Sequence, residues 1–264
     1  VDLVLGAAVL SAGTTLLAYT GCARPGPLWI WLIAAGVSGA VLRARSAGPG
    51  LFDRPDPARG SPDRIGPWIL ATVLLANLAA ALAPPASYDA LSYHLAVPRI
   101  QLDAGGIVER PDITQSYGCG LQHMLFLLAL GTAGEPACAV VVALGNLALL
   151  LAGLGAARRA GLGEASWAAP ATVVAMPFFA LFAKNLEVDL ALASALVLTL
   201  FWFEEWRRRR SPGALLLVAL LAGIAGGTKY TGYLLCPFLL AARIWIEARA
   251  PHRRWGACAR DLAL

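Results

Sequence analysis

Basic residues in this chain are sorted by position. Apolar runs of membrane-crossing length alternate with short polar loops, and arginine collects in every second loop. One loop holds Arg43, Arg45, Arg54, Arg59 and Arg64, the next holds Arg158 and Arg159, a third holds Arg207 to Arg210, and the last holds Arg243, Arg249, Arg253, Arg254 and Arg260. The intervening loops carry Arg24, Arg99, Arg110 and the only two lysines, Lys184 and Lys229. That is 16 basic residues against 5. With 58% hydrophobic and 14% charged residues over 264 positions, too little polar surface exists to cover a soluble domain. The expectation is an all-α polytopic membrane helix bundle. The arginine-rich loops would be cytoplasmic, in a cell (plasma) membrane.

The formal charge of +5 does not indicate a nucleic-acid partner. The arginines are spread over separate loops and form no basic stripe with interleaved aromatics. The five cysteines, Cys22, Cys119, Cys138, Cys236 and Cys258, contain no CxxC pair and read as small apolar residues of membrane helices. A Cys119–Cys138 bridge is the less favoured alternative. The chain starts at Val1 and reads as a piece of a longer protein, with no basic segment before its first apolar run to mark a signal peptide.

A helix needs about 17–25 apolar residues to cross a bilayer. Eight such runs are read, over 3–19, 27–42, 65–82, 136–157, 165–182, 188–203, 212–226 and 233–246. Residues 1–64 form an N-terminal two-helix segment with its arginine loop, and 65–264 form the main membrane core. The apolar run Leu121–Ala133 is too short to cross, and a crossing there would put every later arginine loop on the wrong side. It should dip into the outer leaflet and return, or lie on it. Residues 84–135 then form one long outer excursion between the third and fourth spans, and long loops usually carry function.

Three polar elements face that outer side. In the first, Ser87 is an N-cap candidate for a short helix. At 100° per residue, Leu91, Leu95, Pro98 and Leu102 form an apolar stripe opposite Asp89, Ser92, Tyr93 and Asp103, as in a helix lying in the interface. Asp89 is either a site residue or only a favourable charge at a helix start. In the second, Lys184, Glu187 and Asp189 are packed between two apolar runs. Lys184 and Glu187 read as a solvated i, i+3 pair, whereas Asp189 sits at the membrane boundary, where ionisable groups usually face a polar cavity. In the third, Gly226-Gly227-Thr228-Lys229-Tyr230-Thr231-Gly232 surrounds a lysine with residues that would let backbone approach a ligand. The alternative is a helix–helix turn whose lysine reaches headgroups. The GxxxxGK[ST] spacing of a P-loop is absent.

Four segments in this order carry a resemblance. They are Tyr88-Asp89-Ala90-Leu91-Ser92-Tyr93-His94-Leu95, Leu121-Gln122-His123-Met124-Leu125, Glu187-Val188-Asp189-Leu190-Ala191, and Gly227-Thr228-Lys229-Tyr230-Thr231-Gly232. The set, over roughly 65 to 246, resembles the GT-C superfamily of membrane glycosyltransferases, in particular relatives of the protein O-mannosyltransferases and lipid A aminoarabinose transferases. The resemblance implies a polyprenyl-phosphate sugar donor, a lipid, glycan or protein acceptor, and catalysis on the extracytoplasmic face. It implies Asp89 as the catalytic aspartate, Asp189 as the second acid with Glu187 beside it, and Lys229 near the donor phosphate with Arg99 or Lys184 assisting. Tyr93, His94, Glu187 and Tyr230 would bind substrate. Ala90 stands where many relatives carry glutamate, which removes one carboxylate from the first loop. His123 stands where some relatives have glutamate.

On this reading Asp89 is a general base for an inverting displacement, and Lys229 neutralises the departing phosphate. Asp189 binds sugar hydroxyls, orients Lys229 or helps hold a divalent cation. Asp89, Asp189 and His94 offer ligands for such a cation, but no metal-ligand spacing is visible, and His94 reads rather as an interfacial hydrogen-bonding residue. The rival readings are a secondary transporter and a non-catalytic lipid-binding membrane subunit. A transporter would place its charges near the midplane in broken helices.

Overall fold

The computed structural model describes residues 1–45, 66–118 and 120–249. Arg54, Arg59, Arg64, Arg253, Arg254, Arg260, Cys119 and Cys258 lie outside the described residues, and with Cys119 so does the proposed bridge to Cys138. Cys138 itself is a buried free thiol.

Among the described residues the fold is helical without strands. The long elements are α1 (Asp2–Tyr19), α2 (Pro25–Arg45), α3 (Gly66–Ala81), α4 (Ala96–Ala104), α5 (Leu121–Ala133), α6 (Glu135–Arg159), α7 (Ala168–Ala175), α8 (Pro177–Lys184), α9 (Asp189–Arg209), α10 (Pro212–Thr228) and α11 (Thr231–Ala248). Proline opens α6, α8 and α10, where its missing N–H costs nothing and its fixed φ suits the first turn. Glycine in the left-handed region ends α4 at Gly105 and reverses the chain from α5 to α6 at Gly134.

Among the described residues three helices, α1, α2 and α6, are long and apolar enough to cross a membrane. A fourth crossing is available if the bent pair Gly163–Ala175 and Pro177–Lys184 counts as one. The run read as one span over 165–182 is in fact broken by 68° at Met176. Pro177 explains the break, because it withholds an N–H and pushes the preceding residue out of the helical region; Met176 has ψ 129°. α3, α5, α10 and α11 are shorter apolar helices. α9 has 21 residues, but its last turns hold Glu204, Glu205 and three arginines. Large apolar side chains such as Leu16, Ile30, Trp68 and Phe238 stay exposed on the bundle. Exposed apolar surface of that extent suits a lipid environment.

α6 and α9 lie side by side and point the same way. Gly145 packs on Ala191 near the start of α9, and fourteen residues further along both helices Arg159 meets Glu205. The arginine end of the bundle is tied there. Glu205, buried, accepts from Arg159 at 2.9 and 3.1 Å and pairs with Arg209, while Arg243 of α11 reaches Glu204 at 2.9 Å. Above this clamp Trp202, Leu198, Leu192, Leu221 and Ile224 join α9 and α10 in the largest apolar cluster, with Val4 of α1 and Ala148 of α6.

The short apolar run Leu121–Ala133 does not lie on a surface. As α5 it is enclosed by neighbouring helices, with every residue from Gln122 to Gly131 buried. Its first carbonyl, at Leu121, accepts from Ser11 at mid-length of α1, and its far end at Gly131 packs on Leu28 and Leu102. α5 therefore climbs beside α1, starting deep in the bundle. The preceding excursion is stitched to the α1–α2 turn by Ala23 N–H to Gly105 O (2.9 Å) and Ile107 N–H to Ala18 O (3.2 Å).

Candidate functional site

The first polar element enters through Ser87, whose side-chain oxygen accepts from the Ala90 N–H at 3.2 Å, as expected of an N-cap. The helix that follows is not the regular amphipathic one. Residues Ala90–His94 form a π-turn, closed by Leu95 N–H to Ala90 O at 2.9 Å. The extra residue rotates the register. Leu91 of the expected apolar stripe is exposed, and His94 turns into the core at 3% exposure. π-turns cost regular hydrogen bonding and recur at functional sites. His94 is thus a core residue and not an interfacial one.

His94 meets the later segment of the excursion, α5, and the second loop. Its Nδ1 lies 2.9 Å from Nε2 of His123, which α5 presents from its first turn. One nitrogen of this pair donates and the other accepts. Its Nε2 faces Glu187 Oε2 at 3.5 Å, an approach that leaves this buried nitrogen without a hydrogen-bond partner. Glu187 is buried and turned inward, so the expected solvated pair with Lys184 is replaced by contact with His94, and Lys184 stays exposed. Leu186 and Val188, on either side of Glu187, pack on Val142, Ala139 and Phe126. That packing aims the carboxylate into the bundle. Burial raises the Glu187 carboxyl, but the His94 imidazole and the Ser87 hydroxyl that face it, with the charge of Lys229, outweigh burial and hold it below its ordinary range.

Asp189 is the first residue of α9, and its Oδ1 accepts from Lys229 Nζ at 2.8 Å. Both side chains are about one-quarter to one-third exposed (26% and 30%). Of the three roles open to Asp189, orientation of Lys229 is the one this contact supports. Lys229 itself is extended, at the end of α10. The flanking glycines serve packing. A Cβ at Gly232 would strike the Ala225 carbonyl, and one at Gly226 would meet the Tyr233 ring at 2.6 Å. These glycines let α10 and α11 close around the lysine turn, where the sequence suggested backbone approach to a ligand.

Tyr93 links the two halves of the site. Burial pushes its phenol well above the ordinary value, and a hydrogen bond to Asp89 and the charges of Asp89, Glu187 and Asp189 push the same way. The charges of three carboxylates from two loops therefore reach one tyrosine. Asp89 is half-buried, and Asp89, His94 and Glu187 each offer a ligand atom within 4.8 Å of the others. Asp189, read from sequence as a potential ligand, is not in that set, and Glu187 takes its place.

The remaining expected residues stand apart. Arg99 is exposed and pairs with Glu135 at 3.4 Å on the first turn of α6. Lys184 is exposed at the end of α8, and Tyr230 is 66% exposed beside Lys229. The site does not lie at the rim marked by Glu135. Asp189 is two residues from Ala191, which packs on Gly145, ten residues along α6. At about 1.5 Å per residue, the ion pair lies roughly 10–15 Å below the start of α6. His123 is the residue that sequence reasoning left without a role, and Ser87, read only as an N-cap, also faces Glu187. A signal existed for the first: of three histidines in the chain, two, His94 and His123, fall in the same excursion.

No protein-family model, curated protein or solved structure matches this chain.

Proposed function

We propose that the chain is a membrane glycosyltransferase that moves a sugar from a polyprenyl-phosphate donor to an acceptor hydroxyl. Its fold would be a bundle of about eight crossings. The arginine end would be cytoplasmic and the recess at the opposite end would open outward. The observation that carries the reading is convergence. From three loops up to 140 residues apart, Asp89 and Glu187 come together at His94, Asp189 and Lys229 form the 2.8 Å ion pair, and the charges of all three acids reach Tyr93. Ionisable groups below the rim of a membrane bundle are costly and are normally kept for function.

In the proposed reaction the acceptor oxygen attacks the anomeric carbon as the bond to the donor phosphate breaks, inverting that centre. Asp89 takes the proton, and polyprenyl phosphate leaves with its charge beside Lys229. Asp189 holds Lys229 in place. The lipid chain has a route. An apolar cavity of about 280 Å³ runs between α1, α5, α6, α9 and α10, from Leu3 and Leu10 past Leu125 to Ala191 and Thr228, which are two residues and one residue along the chain from Asp189 and Lys229. Arg99 and Lys184 would act on the approach and not at the reacting phosphate.

The experiment is transfer by the purified chain in proteoliposomes, with a radiolabelled polyprenyl-phosphate sugar. Asp89→Asn should lower the rate by about 10²–10⁴. Near-normal turnover in that variant refutes the role of Asp89. A second reading, a secondary transporter, is favoured by two observations: the 68° break at Met176 lies in the helix pair leading into the Glu187–Asp189 loop, and the charges are recessed. Solute flux without sugar transfer in the same vesicles selects it.

A further inference from the structure

Asp89, His94 and Glu187 bring three possible ligand atoms within 4.8 Å of one another, two of the three side chains being buried. His94 is 3% exposed, and its Nε2 is buried with no hydrogen-bond partner while facing a buried carboxylate. A buried polar atom without a full hydrogen bond is costly, and a buried carboxylate with no cation paired to it is more so. Lys229, whose charge reaches Glu187, is bonded at 2.8 Å to another acid, Asp189. When Nδ1 of His94 donates its proton to His123, the lone pair of Nε2 points at Glu187, and the two repel unless a positive centre lies between them.

The spacing suits such a centre. The 3.5 Å from Nε2 to Oε2 is long for a hydrogen bond. With metal–ligand bonds of about 2.0–2.2 Å, the ligand atoms of a tetrahedral ion sit roughly 3.3–3.6 Å apart. The third ligand atom, from Asp89, is within 4.8 Å and half-exposed, so a small rotation closes the set. Imidazole with two carboxylates is a donor set for a borderline transition ion, and three protein ligands leave one position open. His123 supplies the outer contact that metal-bound histidines usually make, holding the free nitrogen toward the ion.

We propose that Asp89, His94 and Glu187 bind one divalent transition-metal ion of the zinc or manganese class, and that His123 is a positioning residue that sets the His94 tautomer. The assignment stands on these side chains and does not rest on the transferase reading. When bound, the ion would offset the buried Glu187 carboxylate and the half-buried Asp89 carboxylate at the floor of the recess. Asp89 would give it one oxygen and keep the other for a substrate.

The test is metal uptake by the full chain, purified in detergent and stripped with chelator, followed by competition with a chromogenic zinc chelator and by Mn²⁺ electron paramagnetic resonance. The expected result is one equivalent of Zn²⁺ or Mn²⁺, bound at least about tenfold more tightly than Mg²⁺ or Ca²⁺. His94→Ala and the near-isosteric Glu187→Gln should each weaken uptake by more than about 100-fold, and His123→Ala by about 10–100-fold. Asp189→Asn should bind as the parent does. Absence of uptake by the parent, or Asp189→Asn losing as much as Glu187→Gln, overturns the site; so does full affinity in His94→Ala. If His94→Ala does not fold, Glu187→Gln and His123→Ala decide the matter. A chain that takes up the ion but moves no sugar keeps this site and removes the transferase reading. A chain that moves sugar with chelator present and takes up no ion does the reverse.

Discussion

Lys229 and Asp189, forty residues apart in the chain, are joined by a 2.8 Å ion pair between the end of α10 and the start of α9. The pair fixes the lysine where two helix ends meet, roughly 10–15 Å below the first turn of α6. Neither side chain is fully buried, so the pair is neither a solvated surface contact nor a core salt bridge. A double-mutant cycle with Lys229→Met and Asp189→Asn should give a coupling of about 0.5–3 kcal/mol in thermal or denaturant unfolding in detergent. Additive single effects would show that the two side chains do not hold each other. In the transfer assay Lys229→Met should act mainly through the dependence on donor lipid, and Asp189→Asn should show the same defect in weaker form.

The arginine end is held by a different device. Glu205 is 7% exposed and receives Arg159 of α6 and Arg209 of its own helix. Removing its charge leaves both guanidinium groups facing a buried neutral site. The arginines are 41–44% exposed, which moderates the effect. Glu205→Gln is expected to lower stability by about 1–3 kcal/mol. Glu204, which is 32% exposed, should cost less when changed in the same way. Equal losses for the two variants would show that burial of Glu205 does not matter.

The turn at Lys229 depends on a glycine that cannot be replaced. A Cβ on Gly232 overlaps the Ala225 carbonyl, which is backbone and cannot swing away. Gly232→Ala should lower stability by about 1–3 kcal/mol, the usual range for overpacking. Gly6 of α1 has no atom within 4 Å of an added Cβ. Gly6→Ala should be neutral, or gain up to about 1 kcal/mol from helix propensity. Scanning fluorimetry of the two variants side by side makes the comparison.

Orientation in the membrane is tested at Cys22, an exposed thiol in the turn between α1 and α2. With the other cysteines replaced, Cys22 should react in intact cells with a maleimide that cannot cross the membrane. A cysteine introduced by Arg158→Cys, at the arginine end of α6, should react only after permeabilisation. The reverse pattern would invert the proposed sidedness and move the recess to the cytoplasmic face.

Much of the helix pattern was legible because a membrane helix is written locally. The apolar runs at 3–19, 27–42 and 136–157 became α1, α2 and α6, and prolines marked several starts. The run over 165–182 was misread because the local break at Pro177 was outweighed by continuous apolarity. The first excursion was misread in register. A π-turn adds one residue to a helical turn, and hydrophobic periodicity assumes that none is added. This one shift hid Leu91 among expected lipid contacts and left His94 at the interface, when in fact it is buried against His123.

By itself the sequence determined that the chain is a helical bundle suited to a membrane, that its basic residues divide between two ends, and that Asp89, Asp189 and Lys229 belong to the sparsely charged end. Those properties follow from composition and from the charge of loops, which are local and additive. Only the tertiary structure decided that Glu187 faces inward, that His123 completes a histidine pair, that Arg99 is held by Glu135, and that the acids and the lysine lie in a recess below the rim. Those facts depend on how α5, α6, α9 and α10 pack in depth, and helix packing is set by contacts between residues that no local pattern records.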